Sequence, residues 1–135
     1  MKTNLKISFE FFPPKILKMH RTLWETLNKL KVFFPDFVSI TYGAGGSTRD
    51  GTLEACVLIK NSGAQALPHL SGIGASKDLI KEVLTQYKAN GLNRIVALRG
   101  DLPSGIGGLG DFPYALDLIK FIKYEIDWIK HFLVY

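Results

Sequence analysis

Glu10, Thr41, His69 and Arg99 are polar residues that each close or directly follow a short apolar segment, and they recur at intervals of about thirty residues, the length of a strand-helix-strand unit. A carboxyl group can donate a proton, an imidazole can exchange one near neutrality, a hydroxyl can hydrogen-bond in either sense, and a guanidinium holds fixed charge on planar donors. Brought to one place, these types could move a proton and hydrogen-bond a ligand. Tyr42 extends the set beside Thr41, and Gly100 and Asp101 extend it beside Arg99. A glycine there lets backbone approach a ligand closely.

Other chemistries find less support. His20, His69 and His131 are scattered, and neither Cys56 nor the carboxylates complete a ligand spacing, so no metal site is expected. No nucleophile-base pair is evident, which argues against acyl transfer. The run Gly105 to Gly110 satisfies G-x-G-x-x-G, but Arg99 to Ser104 separate it from the preceding strand, so it reads as a flexible loop and not as a dinucleotide fingerprint. Gly43-Ala44-Gly45-Gly46 follows a strand more closely, with Thr48 where the third glycine belongs, and a phosphate role there stays open.

The elements that must position the polar set follow from hydrophobic period. Lys6 to Phe11 predicts a strand, and after Pro13-Pro14 the residues Ile16, Met19, Leu23, Leu27 and Leu30 fall at helical spacing. Phe37 to Thr41 predicts a second strand, with a helix from Ser47 to a stop near Gly63. A third strand is expected at Ala64 to Leu70, and its helix runs from Ser76 to Gly91 over Leu79, Ile80, Val83, Leu84 and Tyr87. Arg94 to Leu98 predicts a fourth strand, and Tyr114 to Ile122 a fourth helix. Four consecutive strand-helix units require parallel strands and crossover helices. The polar set then lies at the C-terminal strand ends, where α/β folds build their sites. Tyr124 to Tyr135 shows no clear period and predicts no element.

With 47% hydrophobic and 21% charged residues among 135, the composition is that of one globular domain or part of one. The net charge of +5 is spread over the predicted helices, so solvated faces are expected and a nucleic-acid partner is not. Cys56, the lone cysteine, sits in an apolar run and reads as a buried hydrophobe in a reducing compartment. The polar start does not read as a signal peptide and no apolar run approaches the ~20 residues of a membrane span, so a cytoplasmic protein is expected.

Four ordered segments carry a family resemblance: Ser8-Phe9-Glu10-Phe11-Phe12-Pro13-Pro14, Phe37-Val38-Ser39-Ile40-Thr41-Tyr42-Gly43-Ala44, Pro68-His69-Leu70, and Ile95-Val96-Ala97-Leu98-Arg99-Gly100-Asp101-Leu102-Pro103. Over about residues 5 to 123 the chain resembles methylenetetrahydrofolate reductase. The resemblance implies an α/β fold of the (β/α)8 TIM-barrel type, of which the first four strand-helix units (1–123) are present, with 124–135 an unassigned tail. It implies FAD as cofactor, NADH or NADPH as co-substrate, reduction of 5,10-methylenetetrahydrofolate to 5-methyltetrahydrofolate, and a supply of methyl groups for methionine synthesis. Glu10 matches the general acid. Thr41, Tyr42, His69, Arg99, Gly100, Asp101, Tyr114 and Ala115 match flavin contacts, and Asp101 also matches a folate contact. The neighbours Phe9, Phe11 and Phe12 are expected to make an apolar pocket that raises the acid's pKa. A homo-oligomer is expected.

Half a barrel is expected from this length, since a closed one needs about 200 residues or more. The chain therefore reads as truncated or frame-disrupted. Two competing readings follow: a catalytically inactive half-barrel remnant that self-associates, and a different flavin or nucleotide site on a doubly wound sheet.

Overall fold

A computed structural model of the chain describes residues 4–42, 49–102, 107–129 and 131–134. Strands β1 (Ser8–Phe11), β2 (Phe37–Ile40), β3 (Ala66–Ser71) and β4 (Arg94–Leu98) alternate with helices α1 (Leu17–Leu30), α2 (Arg49–Asn61), α3 (Lys77–Ala89) and α4 (Ala115–Glu125). All four expected units form. The expected start of α2 at Ser47 lies outside the described residues.

Local chemistry explains the boundaries. Pro13 and Pro14, both buried, end β1 because proline cannot donate to a strand ladder. Ser76 caps α3 by accepting from the Leu79 amide at 3.2 Å. Tyr114 precedes α4, and its amide donates to the Asp117 carboxylate at 3.1 Å. Helix α1 departs from expectation in its first turn, where Ile16 and Met19 are exposed and burial begins only at Leu23 and Leu27.

The segment that predicted no element contains a fifth strand. β5 (His131–Val134) pairs parallel with β4, placing His131 opposite Arg94 and Val134 opposite Ala97. Its cause is non-local: four residues carry no readable period, and the ladder of β4 supplies their hydrogen-bond partners.

Strand order is β1-β2-β3-β4-β5, with every neighbouring pair parallel. Right-handed crossovers between strands laid down in one direction carry every helix to the same face. The core agrees, because Val38, Ile40, Ala66, Leu70, Ile95 and Ala97 on alternate strand positions pack with Leu23 and Leu27 of α1, Cys56 of α2, Leu84 of α3 and Leu118 of α4. A doubly wound sheet instead reverses its order at a switch point and is covered by helices on both faces. The singly wound order is that of a TIM-type barrel, and the doubly wound alternative falls. The face opposite the helices carries Glu10, Ser39, Leu67, His69 and Val96 in register.

Candidate functional site

Strand alternation decides what surrounds Glu10. Its neighbours Phe9 and Phe11 point to the other face, where Phe9 meets Phe33 at a ring distance of 6.4 Å and Phe11 packs against the helix-side core. Phe12 is 78% exposed. The expected aromatic pocket is thus not formed: Phe9 and Phe11 are adjacent to Glu10 along the strand and take the other face, and Phe12 follows the end of β1 in solvent. Glu10 is half exposed and meets an imidazole instead.

His69 Nε2 lies 3.3 Å from Glu10 Oε2 and 3.2 Å from Ser39 Oγ. The three side chains come from adjacent strands β1, β2 and β3 on one sheet face. His69 is buried, with 8% of its side chain exposed, and Ser39 is 3% exposed. Burial lowers the imidazole pKa below its ordinary value, and the Glu10 carboxylate pulls it partly back up. From α3, the Tyr87 hydroxyl stands 3.5 Å from the His69 carbonyl oxygen.

This cluster contains a serine beside a histidine, a pair that the sequence did not reveal because thirty residues separate them. It is not a hydrolytic triad. Such a triad places the acid on one ring nitrogen and the nucleophile on the other, whereas here both partners face Nε2. The arrangement holds the Glu10 carboxyl group against a buried imidazole that also meets a hydroxyl.

The remaining expected residues line the same C-terminal edge. Thr41 donates its amide to the Phe11 carbonyl at 3.0 Å, and its own carbonyl accepts from buried Thr52 at 2.9 Å. Tyr42 is half-buried and packs on the helix-side core. Arg99 donates Nε to the Pro113 carbonyl at 2.9 Å, which fixes the guanidinium against the approach to α4. Gly100 has φ +80, and a Cβ there would fall on Ser71 Oγ and come within 3.2 Å of Ile73 Cγ2. Glycine is therefore required. Asp101 and Tyr114 are exposed, and Ala115 opens α4 half-buried.

Sequence reasoning missed three supporting residues. Ser39 touches His69, Thr52 holds the end of β2, and Ser71 donates Oγ to the Arg99 carbonyl at 2.9 Å. Ser39 and Ser71 had a signal: each is a polar residue on the period-2 face of an otherwise apolar strand. Thr52 had none.

The glycine-rich loop is hydrogen-bonded to the turn before α3 over its described part. Gly74 donates to the Leu109 carbonyl at 2.9 Å, Asp111 donates to the Ala75 carbonyl at 3.0 Å, and the Lys77 amide donates to the Asp111 carboxylate at 2.9 Å. Residues 103–106 and the run Gly43 to Gly46 lie outside the described residues. Burial pushes the Cys56 thiol up to about 12, which keeps it protonated and unreactive. Among the described residues, no group of three metal-ligating side chains occurs and no helix is long and apolar enough to cross a membrane.

A family model described as Methylenetetrahydrofolate reductase matches residues 1–131. The chain is 43% identical over 124 residues to a 5,10-methylenetetrahydrofolate reductase of Pectobacterium carotovorum subsp. carotovorum, covering 91% of this chain and 41% of that protein. It is 42% identical over 126 residues to the Escherichia coli (strain K12) protein of the same name, covering 93% of this chain and 42% of that one. A probable methylenetetrahydrofolate reductase (NADH) of Oryza sativa subsp. japonica is 38% identical over 121 residues, covering 86% of this chain and 20% of the plant protein. The chain thus spans about two fifths of the length of these bacterial relatives.

Proposed function

The chain belongs to the methylenetetrahydrofolate reductase family, and on that premise we propose that it forms the acid-base portion of a flavin-dependent site that reduces 5,10-methylenetetrahydrofolate to 5-methyltetrahydrofolate. One observation carries the reading: Glu10, half exposed at the C-terminal end of β1, is held 3.3 Å from a buried histidine on the inner face of a singly wound sheet. A proton donor needs such a balance of access and restraint.

The residues present fit one side of a planar heteroaromatic group. At the end of β4 Arg99 holds its guanidinium against the Pro113 carbonyl, Gly100 turns the chain with φ +80, and Asp101 and Tyr114 are exposed on the same edge. Bound there, FAD would supply a two-electron carrier between NADH or NADPH and the folate. Thr41, Tyr42, His69, Arg99, Gly100, Tyr114 and Ala115 would hold it, and Asp101 would also accept hydrogen bonds from the pterin edge. Glu10 would protonate the nitrogen that leaves when the five-membered folate ring opens, and the resulting cationic carbon would become the hydride acceptor. The product would serve methionine synthesis in the cytoplasm, and the working enzyme would be a homo-oligomer.

The test is a chimera in which this chain is completed with the remaining length of the Escherichia coli relative. Glu10→Gln should leave flavin reduction by the nicotinamide nearly unchanged and slow the folate half-reaction by about 10²- to 10⁴-fold, the usual contribution of a general acid. Stopped-flow absorbance reads the two half-reactions separately. Equal loss of both would overturn the assignment.

A further inference from the structure

Two groups compete for a single nitrogen in this site. His69 Nε2 has Glu10 Oε2 at 3.3 Å on one side and Ser39 Oγ at 3.2 Å on the other. An ionised carboxylate only accepts, so facing it requires the proton on Nε2. When Glu10 carries the proton, the situation reverses. A bare Nε2 would then accept from the acid's hydroxyl, and a proton aimed at substrate would be drawn into the imidazole. A hydroxyl can satisfy Nε2 in both situations, because it accepts from N–H and donates to bare nitrogen.

We propose that Ser39 is a positioning residue of this site: its hydroxyl donates to His69 Nε2 when Glu10 is a neutral acid, so that the acid's proton is left for substrate. The proposal deepens the donor role of Glu10 argued above and rests on it for its functional meaning. The geometry constrains the competition closely. Ser39 is directly opposite Glu10 in the β1–β2 register, and both Ser39 and His69 are buried. Other groups facing His69 do not take Ser39's part. Val96 of β4 stands opposite it in register and is apolar, the Tyr87 hydroxyl from α3 lies against the backbone carbonyl, and among the described residues Glu10 is the charged group acting on the ring.

The experiment uses the full chain labelled with ¹⁵N-histidine, with the His69 ring nitrogens followed by NMR as pH is varied. In a Glu10→Gln background, which keeps the acid's position neutral, Ser39→Ala removes a donor that favours the neutral ring, so the His69 midpoint should move up relative to Glu10→Gln alone. Ser39→Thr keeps the hydroxyl and should restore the original midpoint. Ser39→Cys, nearly isosteric with a weak donor, should behave like Ser39→Ala and serves if the alanine variant unfolds. An unchanged or lowered midpoint in Ser39→Ala and Ser39→Cys would overturn the proposal, because it would mean that the hydroxyl only accepts or only fills space. Neither flavin nor folate enters this measurement. Its failure is therefore distinct from a failure of the Glu10→Gln kinetics, which would sink the donor role while leaving the Ser39 contact intact.

Discussion

Burial and a neighbouring carboxylate pull His69 in opposite directions, and burial is the larger effect. The folded-state pKa therefore lies below the unfolded one of about 6.5. Between those two values the unfolded chain binds more protons, so stability rises with pH through that window and falls on acidification below about 6.5. His69→Gln removes this contribution while keeping a hydrogen-bonding side chain at the position. Urea denaturation from pH 7.5 to 5 should give a shallower acid-side loss of stability in the variant than in the parent. Parallel curves would show that His69 titrates normally and that its burial is unimportant. At this scale the sequence exposed Glu10, His69 and Arg99 because each interrupts an apolar run at a strand end. It hid the Ser39–His69–Glu10 contact, since residues joined across strands have no local signature. It also misplaced the phenylalanines, since strand alternation turns Phe9 and Phe11 away from Glu10 and Phe12 stands exposed past the strand end.

Between the elements, the loop Gly107 to Phe112 closes against the turn from β3 into α3, and Gly110 makes that closure possible. It has φ +69, and a Cβ there would stand 2.6 Å from the Ala75 carbonyl oxygen and 2.7 Å from the Gly74 carbonyl carbon. Those neighbours are backbone and cannot rotate aside. Gly110→Ala should therefore lift the loop and remove the Asp111 carboxylate from the first amide of α3, at a combined cost of about 2 kcal/mol from left-handed strain and a lost helix-terminus contact. The urea midpoint should fall accordingly, and Asp111→Ala alone should reproduce about half of the loss. An unaffected midpoint in Gly110→Ala would mean that the loop contributes nothing to α3. The four strand-helix units were legible because long apolar periods and explicit start and stop signals such as Ser76 and Gly91 announce them. The docked loop was not, because glycines mark both mobile chain and tight contact, and only the neighbouring backbone distinguishes the two. β5 stayed hidden for the related reason that each of its residues pairs with one 37 positions earlier, as His131 does with Arg94 (131 − 94 = 37).

At the scale of the whole chain, the singly wound sheet leaves β1 and β5 at its edges. Edge strands present N–H and C=O groups to whatever can pair with them. The chain also exposes Leu5, Phe12, Leu17, Val32, Phe33 and Phe34, of which Phe33 meets Phe9 of the edge strand β1. Both features favour association. The proposed flavin edge has the opposite problem: Arg99, Asp101 and Tyr114 would contact one side of a ligand, while the chain spans about two fifths of the length of its bacterial relatives. A long dinucleotide held at one end gives up much of its freedom for few contacts, and the ordering cost is poorly offset. The isolated 135-residue chain should therefore form dimers or larger species, bind FAD weakly and show no measurable reductase turnover, whereas the chimera should hold flavin tightly. Size-exclusion chromatography with light scattering, followed by flavin titration of both proteins, separates the cases. A monodisperse monomer of the isolated chain that binds FAD stoichiometrically and oxidises NADH would show that these edges are self-sufficient and that the site needs no further strands.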